Sequence, residues 1–217
     1  MSLVSMITVL IIGKQAFFPL ARFWGSHILF ISGIKLQIKG YENINSDESY
    51  IFCANHSSLI DIPILLSSLS NNFRIIYKKE LEKIPVFGWG LALSPFIGIK
   101  RENARDSMSG INEAVNTVST GESVLIFPEG TRTSDGSLGE FKRGAFMLAS
   151  RSGRKIVPVS IVGSAALLPN KEILLRSGTA VVNIGQAIEY TGSGKKDELD
   201  LMNKVRNSIK QEIERHI

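Results

Sequence analysis

Few side chains in this 217-residue chain can do chemistry at neutral pH, and their spacing narrows the choice further. It has three histidines, His27, His56 and His216, and one cysteine, Cys53. Histidine is the side chain whose unperturbed pKa, about 6.5, makes it a ready base near neutrality. His56 stands in Asn55-His56-Ser57-Ser58-Leu59-Ile60-Asp61, directly after the apolar run 49–54. Asp61 can accept a hydrogen bond from one imidazole nitrogen, fixing the tautomer and leaving the other nitrogen free to take a proton. In a continuous α-helix, residues five apart diverge by about 140° around the axis. The pair therefore needs His56 in a loop, a helix starting at Ser57 or Ser58, and Asp61 in its first turn. The same residues also read as plain structure: Ser58-x-x-Asp61 is a capping box, with His56 an incidental loop residue. On spacing alone both readings stand.

A second group is Phe127-Pro128-Glu129-Gly130-Thr131-Arg132-Thr133, after the run Ser123-Val124-Leu125-Ile126. Proline ends the strand, glycine lets the backbone approach a ligand, and Arg132 offers a planar fork for phosphate. Glu129 can hold that guanidinium, although a polar turn with a local ion pair fits the same residues. Arg101 closes Ile97-Gly98-Ile99-Lys100-Arg101 and offers another phosphate contact, or is a surface arginine. Lys79, in Lys78-Lys79-Glu80-Leu81, can bind an anion or an oxyanion, though a lone lysine is more commonly a surface residue. The stretch 142–155 carries five basic residues and no acid, which suits a polyphosphate such as that of coenzyme A or a solvated basic face. Cys53 lies within a strand, on the opposite face parity, and reads as a buried structural thiol. Ser57 and Ser58 read as helix caps.

Other chemistries lack their residues. One cysteine forms no internal disulfide, which fits a reducing compartment, and the scattered histidines give no zinc spacing. There is no G-x-S-x-G elbow, phosphate loop or dinucleotide fingerprint. The net charge of +5 is uneven: residues 1–41 hold Lys14, Arg22, Lys35 and Lys39 with no acid, and the rest is nearly neutral. That distribution argues against nucleic acid. The acid-free segment is apolar and aromatic, but its first run, 3–12, is ten residues against the roughly 20 of a spanning helix. Gln15, Arg22 and Ser26 make a narrow polar stripe beside a wide apolar face, which suits a helix lying in a membrane interface. Cations there gain about 1 kcal/mol each against an anionic leaflet. The alternative is an ordinary helix packed on the core.

Those residues need a scaffold. β-rich runs recur at 34–39, 49–54, 73–77, 96–100, 123–127, 156–162 and 179–184. Helical patterns lie at 59–70, 104–119, 143–151 and 197–216. Met108, Ile111, Val115 and Val118 share one face of the second, and Met202, Val205, Ile209 and Ile213 one face of the fourth. Alternation of this kind predicts an α/β domain with a mostly parallel sheet flanked by helices, its chemistry on the loops that follow strands. The expected organisation is a membrane-associating helical segment, 1–33, and a catalytic domain, 34–217.

Together, the motifs Asn55-His56-Ser57-Ser58-Leu59-Ile60-Asp61, Phe127–Thr133 and Ile156-Val157-Pro158-Val159, with the stretches at 78–91 and 140–146, resemble the glycerophospholipid acyltransferases. Within them the resemblance is to bacterial 1-acyl-sn-glycerol-3-phosphate acyltransferases, over about residues 35–185. It implies transfer of a fatty acyl group from acyl-CoA or acyl-carrier protein to the hydroxyl of a lysophospholipid, with no cofactor or metal, on the cytoplasmic face of a membrane. It assigns His56 as general base and Asp61 as its orienting partner. It gives Glu129, Gly130, Thr131 and Arg132 to the acceptor phosphate, with Arg101 as a second ligand. In the family's second motif, Gly usually stands six residues before that arginine and Asp immediately before it; here Pro95 and Lys100 take those places. The added cation either favours a doubly charged phosphate or faces solvent. Another lysolipid, such as a lyso-ornithine lipid, is the alternative acceptor. A thioesterase or lipase and a non-catalytic membrane module are the rival classes.

Overall fold

The structure is a computed structural model that describes residues 17–100, 104–133 and 136–216. Seven strands form one mixed sheet: β1 (Ile34–Lys39), β2 (Ile51–Ala54), β3 (Phe73–Lys78), β4 (Ile97–Ile99), β5 (Ser123–Ile126), β6 (Ile156–Val162) and β7 (Gly178–Ile184). Their order is β1-β7-β6-β2-β5-β3-β4. Five strands, β6 to β4 in that order, run parallel; β7 is antiparallel to β6, and β1 runs parallel to β7. The mostly parallel α/β architecture expected from the alternating pattern is therefore present, with a reversed pair at one end.

Among the described residues, seven α-helices accompany the strands: α1 (Phe17–Ile31), α2 (Asp61–Ser68), α3 (Phe87–Leu93), α4 (Ala104–Ser119), α5 (Gly144–Ser152), α6 (Ser164–Leu167) and α7 (Lys195–Glu214). A strand buried on both faces must be apolar at every position, and every residue of β2, Ile51-Phe52-Cys53-Ala54, is inaccessible. Alternate residues feed two cores. Phe52 and Ala54 face α1 and α2, while Ile51 and Cys53 face α4, α5 and α7. Cys53 thus sits in the core opposite the one that Ala54 joins, and burial pushes its thiol pKa up. On α7 the expected face is seen, with Leu201 rather than Met202 deepest. On α4 the stripe turns, so that Ala114 and Val118 are deepest and Met108, Ile111 and Val115 lie at its margin.

The described part of the N-terminal segment is built into this body. Phe17, Phe18, Ala21 and Leu29 are buried; Phe17 packs edge-on against Phe96, and Phe18 against Phe73. Burying each phenylalanine is worth about 1.5–3 kcal/mol. Arg22, expected on an interfacial polar stripe, instead donates to the carbonyls of Leu69 (3.2 Å), Ser70 (2.5 Å) and Asn71 (3.0 Å). Those groups lie at the C-terminal end of α2, where carbonyls lack intrahelical partners and a cation is favoured. The outer side of α1 leaves Phe23, Phe30 and Ile31 exposed. Among the described residues no helix is long and apolar enough to cross a membrane. The apolar run 3–12, Lys14 and Gln15 lie outside them.

Candidate active site

The parallel strands present their C-terminal ends at one edge of the sheet, where amide donors and loop side chains gather. β2 ends at Ala54 and α2 begins at Asp61, so His56 lies in the loop between them, as its pairing required. His56 Nδ1 and Asp61 Oδ2 are 2.8 Å apart. Asp61 is inaccessible, and its Oδ2 also accepts from the backbone N–H of Ser57 and of Ser58, each at 2.9 Å. Both readings of the spacing are met at once: the carboxylate makes the return bond of a capping box and orients the imidazole. An ionised Asp61 places the proton on Nδ1, so Nε2 carries the lone pair that can act as base.

Ser58 serves as a cap, its Oγ accepting from Ile60 N at 3.3 Å, and both serines also reach across to the segment after β6. Ser58 Oγ donates to the carbonyl of Leu168 (2.7 Å), and Ser57 Oγ lies 2.9 Å from Ser164 Oγ. Asn55 closes the same seam, accepting from Ile161 N at 2.7 Å and donating to Ile161 O at 2.9 Å. The loop after β2 is thereby tied to the end of β6. Its other side is held by the segment after β5, the neighbouring strand. Glu129 Oε1 accepts from His56 N (2.7 Å), and its Oε2 accepts from Gly139 N (2.7 Å). Thr133 N donates to His56 O (3.0 Å), and the Phe127 ring stacks on the imidazole at 4.0 Å.

The role expected for Glu129 changes accordingly. Only 4% of its surface is exposed, and backbone amides occupy both oxygens. Burial raises its pKa, an effect opposed by those amide bonds and by the nearby imidazole. No ion pair joins it to Arg132 among the described residues. A buried carboxyl so engaged holds the His56 loop in place, with both oxygens already taken by amides. Gly139 fits closely against it: a Cβ there would lie 2.7 Å from Glu129 Oε2, so the carboxyl would have to shift. The sequence offered no signal for that tether, which spans 73 residues and ends on a backbone amide.

Gly130, at φ +73°, turns the chain after β5, exposing Thr131 and leaving Arg132 half-exposed at the same edge. Lys79 follows β3 and meets Lys100, at the end of β4, around a recess of about 230 Å³ that Glu80, Glu82 and Lys83 complete. Lys100 thus joins a cationic cluster at the catalytic edge. Arg101 lies outside the described residues. The basic stretch 142–155 is partly neutralised: Arg143 pairs with Glu198 at 2.6 Å, Arg151 donates to Asn112 at 2.7 Å, and Lys155 is 3.8 Å from Glu48. That favours the solvated-face reading over a dedicated polyphosphate site.

An oriented His–Asp pair at the C-terminal edge of an α/β sheet, among cations and free of a serine elbow, defines a base-catalysed group-transfer site. Residues 35–162 match the family described as Acyltransferase. The chain belongs to this acyltransferase family. A chloroplastic 1-acyl-sn-glycerol-3-phosphate acyltransferase of Arabidopsis thaliana is 34% identical over 90% of this chain and 53% of its own length. One from Borreliella burgdorferi is 28% identical over 86% of this chain and 74% of its own. The crystal structure of the 1-acyl-sn-glycerophosphate acyltransferase of Thermotoga maritima superposes with a TM-score of 0.78 at 27% identity, over 93% of this chain and 81% of that one. The chain spans about half the length of the plant relatives it matches.

Proposed function

We propose that the chain transfers a fatty acyl group from an acyl thioester to the free hydroxyl of 1-acyl-sn-glycerol 3-phosphate, giving phosphatidic acid. The observation that carries this reading is the His56–Asp61 pair, whose Nδ1 bond leaves Nε2 as the base. Nε2 takes the hydroxyl proton as the acceptor oxygen attacks the thioester carbon. A C–O bond forms, and the carbonyl electrons move onto an oxyanion held by backbone amides or Lys79. When they return, the C–S bond breaks, and the thiolate leaves with the proton that His56 accepted. No covalent acyl-enzyme is required. The donor is coenzyme A or acyl-carrier protein; the engagement of Arg143 with Glu198 and of Arg151 with Asn112 argues against a tight phosphate site for coenzyme A there.

Arg132, Thr131 and Gly130 contact the acceptor phosphate, with Lys79, Lys100 and Arg101 supplying charge from the neighbouring strand ends. Lys100 favours a dianionic phosphate headgroup over a zwitterionic one. The working place of the chain is the cytoplasmic face of the inner membrane, with segment 1–33 as its membrane-associating part. One assay tests the reaction: purified protein with an acyl thioester and lysophosphatidate, lyso-ornithine lipid or water, scoring free thiol and lipid product. Phosphatidate with stoichiometric thiol is expected. Thiol release with water alone would make the protein a thioesterase, and preference for the lyso-ornithine lipid would move the acceptor.

A further inference from the structure

β3 runs straight into a 3₁₀ turn, Lys79–Lys83, and Ile84-Pro85-Val86 then lead to α3. A turn of five residues holds itself weakly, and no side chain caps its start. Among the described residues its one side-chain hydrogen bond runs back to the sheet: Tyr77 Oη donates to Glu82 Oε1 at 2.7 Å. Tyr77 is buried and lies beside Gly98, its register partner on β4. A Cβ on Gly98 would come within 3.0 Å of the Tyr77 hydroxyl and 3.1 Å of Glu82 Oε1. The glycine therefore leaves the space in which phenol and carboxylate meet. Glu82 is also gripped by its backbone, since a Cβ on Gly88 of α3 would fall 2.1 Å from its carbonyl oxygen. Burial first, and then the Glu82 carboxylate, hold the Tyr77 pKa above its ordinary value, so the phenol remains a donor.

The bond matters for what it withholds from Lys79. Side chains three apart in a 3₁₀ turn eclipse one another, which puts Lys79 and Glu82 on one face, and Glu80 and Lys83 on another. An ammonium and a carboxylate so placed would ordinarily pair. Among the described residues no ion pair joins Lys79 to Glu82, or Lys83 to Glu80. Glu82 has one oxygen committed to Tyr77, while Glu80 keeps Oε2 buried with no protein partner. The recess thus sets Lys79, Lys83 and Lys100 against two carboxylates, and the one that eclipses Lys79 is tied to the sheet. We infer that Tyr77 is a positioning residue for the acceptor site: by holding Glu82 over β4, it keeps Lys79 unpaired and available to the acceptor phosphate. This rests on the reading of Lys79 as a phosphate contact and identifies what leaves it free. Tyr77 acts only through that carboxylate. Its hydroxyl competes with Lys79 for Glu82; without it, Glu82 turns to its eclipsing ammonium and cancels the charge that the phosphate needs. Glu80 belongs to the recess in either state, so the change on release is the approach of Glu82 alone.

The test uses variants of the full chain with an acyl thioester and varied lysophosphatidate. Tyr77→Phe keeps the ring and removes only the hydroxyl. It is expected to raise KM for lysophosphatidate about fivefold, as loss of the Lys79 charge would, with kcat within about twofold. Glutamine has no charge to offer Lys79, so Tyr77→Phe/Glu82→Gln should bring KM back to within about twofold of the parent. A bond that merely braced the turn would be missing from the double variant as well. KM that stays raised there, or KM unchanged in Tyr77→Phe, would overturn the inference. A second readout needs no turnover: trace acetylation of lysine amines, read by fragment-resolved mass spectrometry, with exposed Lys204 on α7 as the internal reference. Pairing with a carboxylate favours the protonated, unreactive ammonium, so Lys79 labelling should fall about threefold or more in Tyr77→Phe and recover in the double variant. Unchanged labelling would overturn the inference whatever the kinetics. Reduced labelling with the loss in kcat instead of KM would uphold the hold of Tyr77 on Glu82, and what fails is the assignment of Lys79 to the acceptor phosphate.

Discussion

The loop after β2 and the segment after β3 leave the same edge of one sheet, two strands apart, and are built on opposite plans. Around His56 the loop is tied on several sides: Asp61 Oδ2 on the imidazole and two amides, Glu129 on two more, Asn55 on the end of β6 and Ser58 on Leu168 beyond α6, while Asp61 Oδ1 is buried with no protein partner. After β3 the lysines point to solvent, apolar side chains are exposed, and Val86 sits in a backbone region that β-branched residues avoid. The difference follows from the work proposed for each. A base must hold one geometry to within a fraction of an ångström, which takes buried neighbours fixed by several hydrogen bonds. A rim that captures an amphiphile needs charge and apolar surface that stay adaptable.

The comparison makes graded predictions. His56→Ala should cost about 10³-fold or more in kcat with folding intact, near the upper range for a positioned base. Asp61→Asn should cost about 10²–10⁴-fold by admitting the wrong tautomer. Substantial residual turnover in either would remove the His56 loop from the chemistry. Gly139→Ala comes next. It touches no reacting group, yet displaces Glu129, and should lower kcat about tenfold with KM nearly unchanged, as expected when positioning is loosened. Shortening the carboxylate in Gly139→Ala/Glu129→Asp should recover part of that loss. If KM for the acceptor rises instead, Glu129 belongs to substrate binding after all.

How much of this was readable in the sequence follows from how local each interaction is. His56 and Asp61 lie in one loop, so spacing alone proposed their contact. The strands announced themselves through β-branched runs, and α7 through its stripe of Val205, Ile209 and Ile213. What escaped depends on strand order. The Glu129 tether exists because β5 lies beside β2, and the reversal of β7 has no periodic signature of its own. Helix α3 was hidden by Gly88 and Gly90 and reads only as apolar sequence. Arg22 looked interfacial because its carbonyl partners are 47 to 49 residues away.

The rim should respond more weakly. Lys79→Ala and Lys100→Ala should each raise KM for a phosphate-bearing acceptor about fivefold, with kcat within twofold, as expected for exposed charges that position without reacting. A large fall in kcat for Lys79→Ala would instead place its ammonium on the oxyanion.

The smallest expected effect tests whether the His56 loop carries a cost. Burial holds the Glu129 pKa above its ordinary value despite two amide donors. A carboxyl group whose pKa is raised by folding stabilises the native state while protonated and loses that contribution as pH rises through the folded pKa. The stability of the parent relative to Glu129→Gln should therefore fall as pH rises above about 4, because the unfolded carboxylate ionises first, near 4.3. Glutamine cannot ionise, and it presents an NH₂ to one of the two amides, so the variant begins with its own fixed deficit. That deficit is independent of pH, whereas the ionisation contribution is not, so urea denaturation across this range separates them by slope. A difference that grows with pH would mean that the amides outweigh burial, making the tether a stabilising anion site. A difference that shrinks would mean that the fold accepts a cost at this position to keep His56 in place.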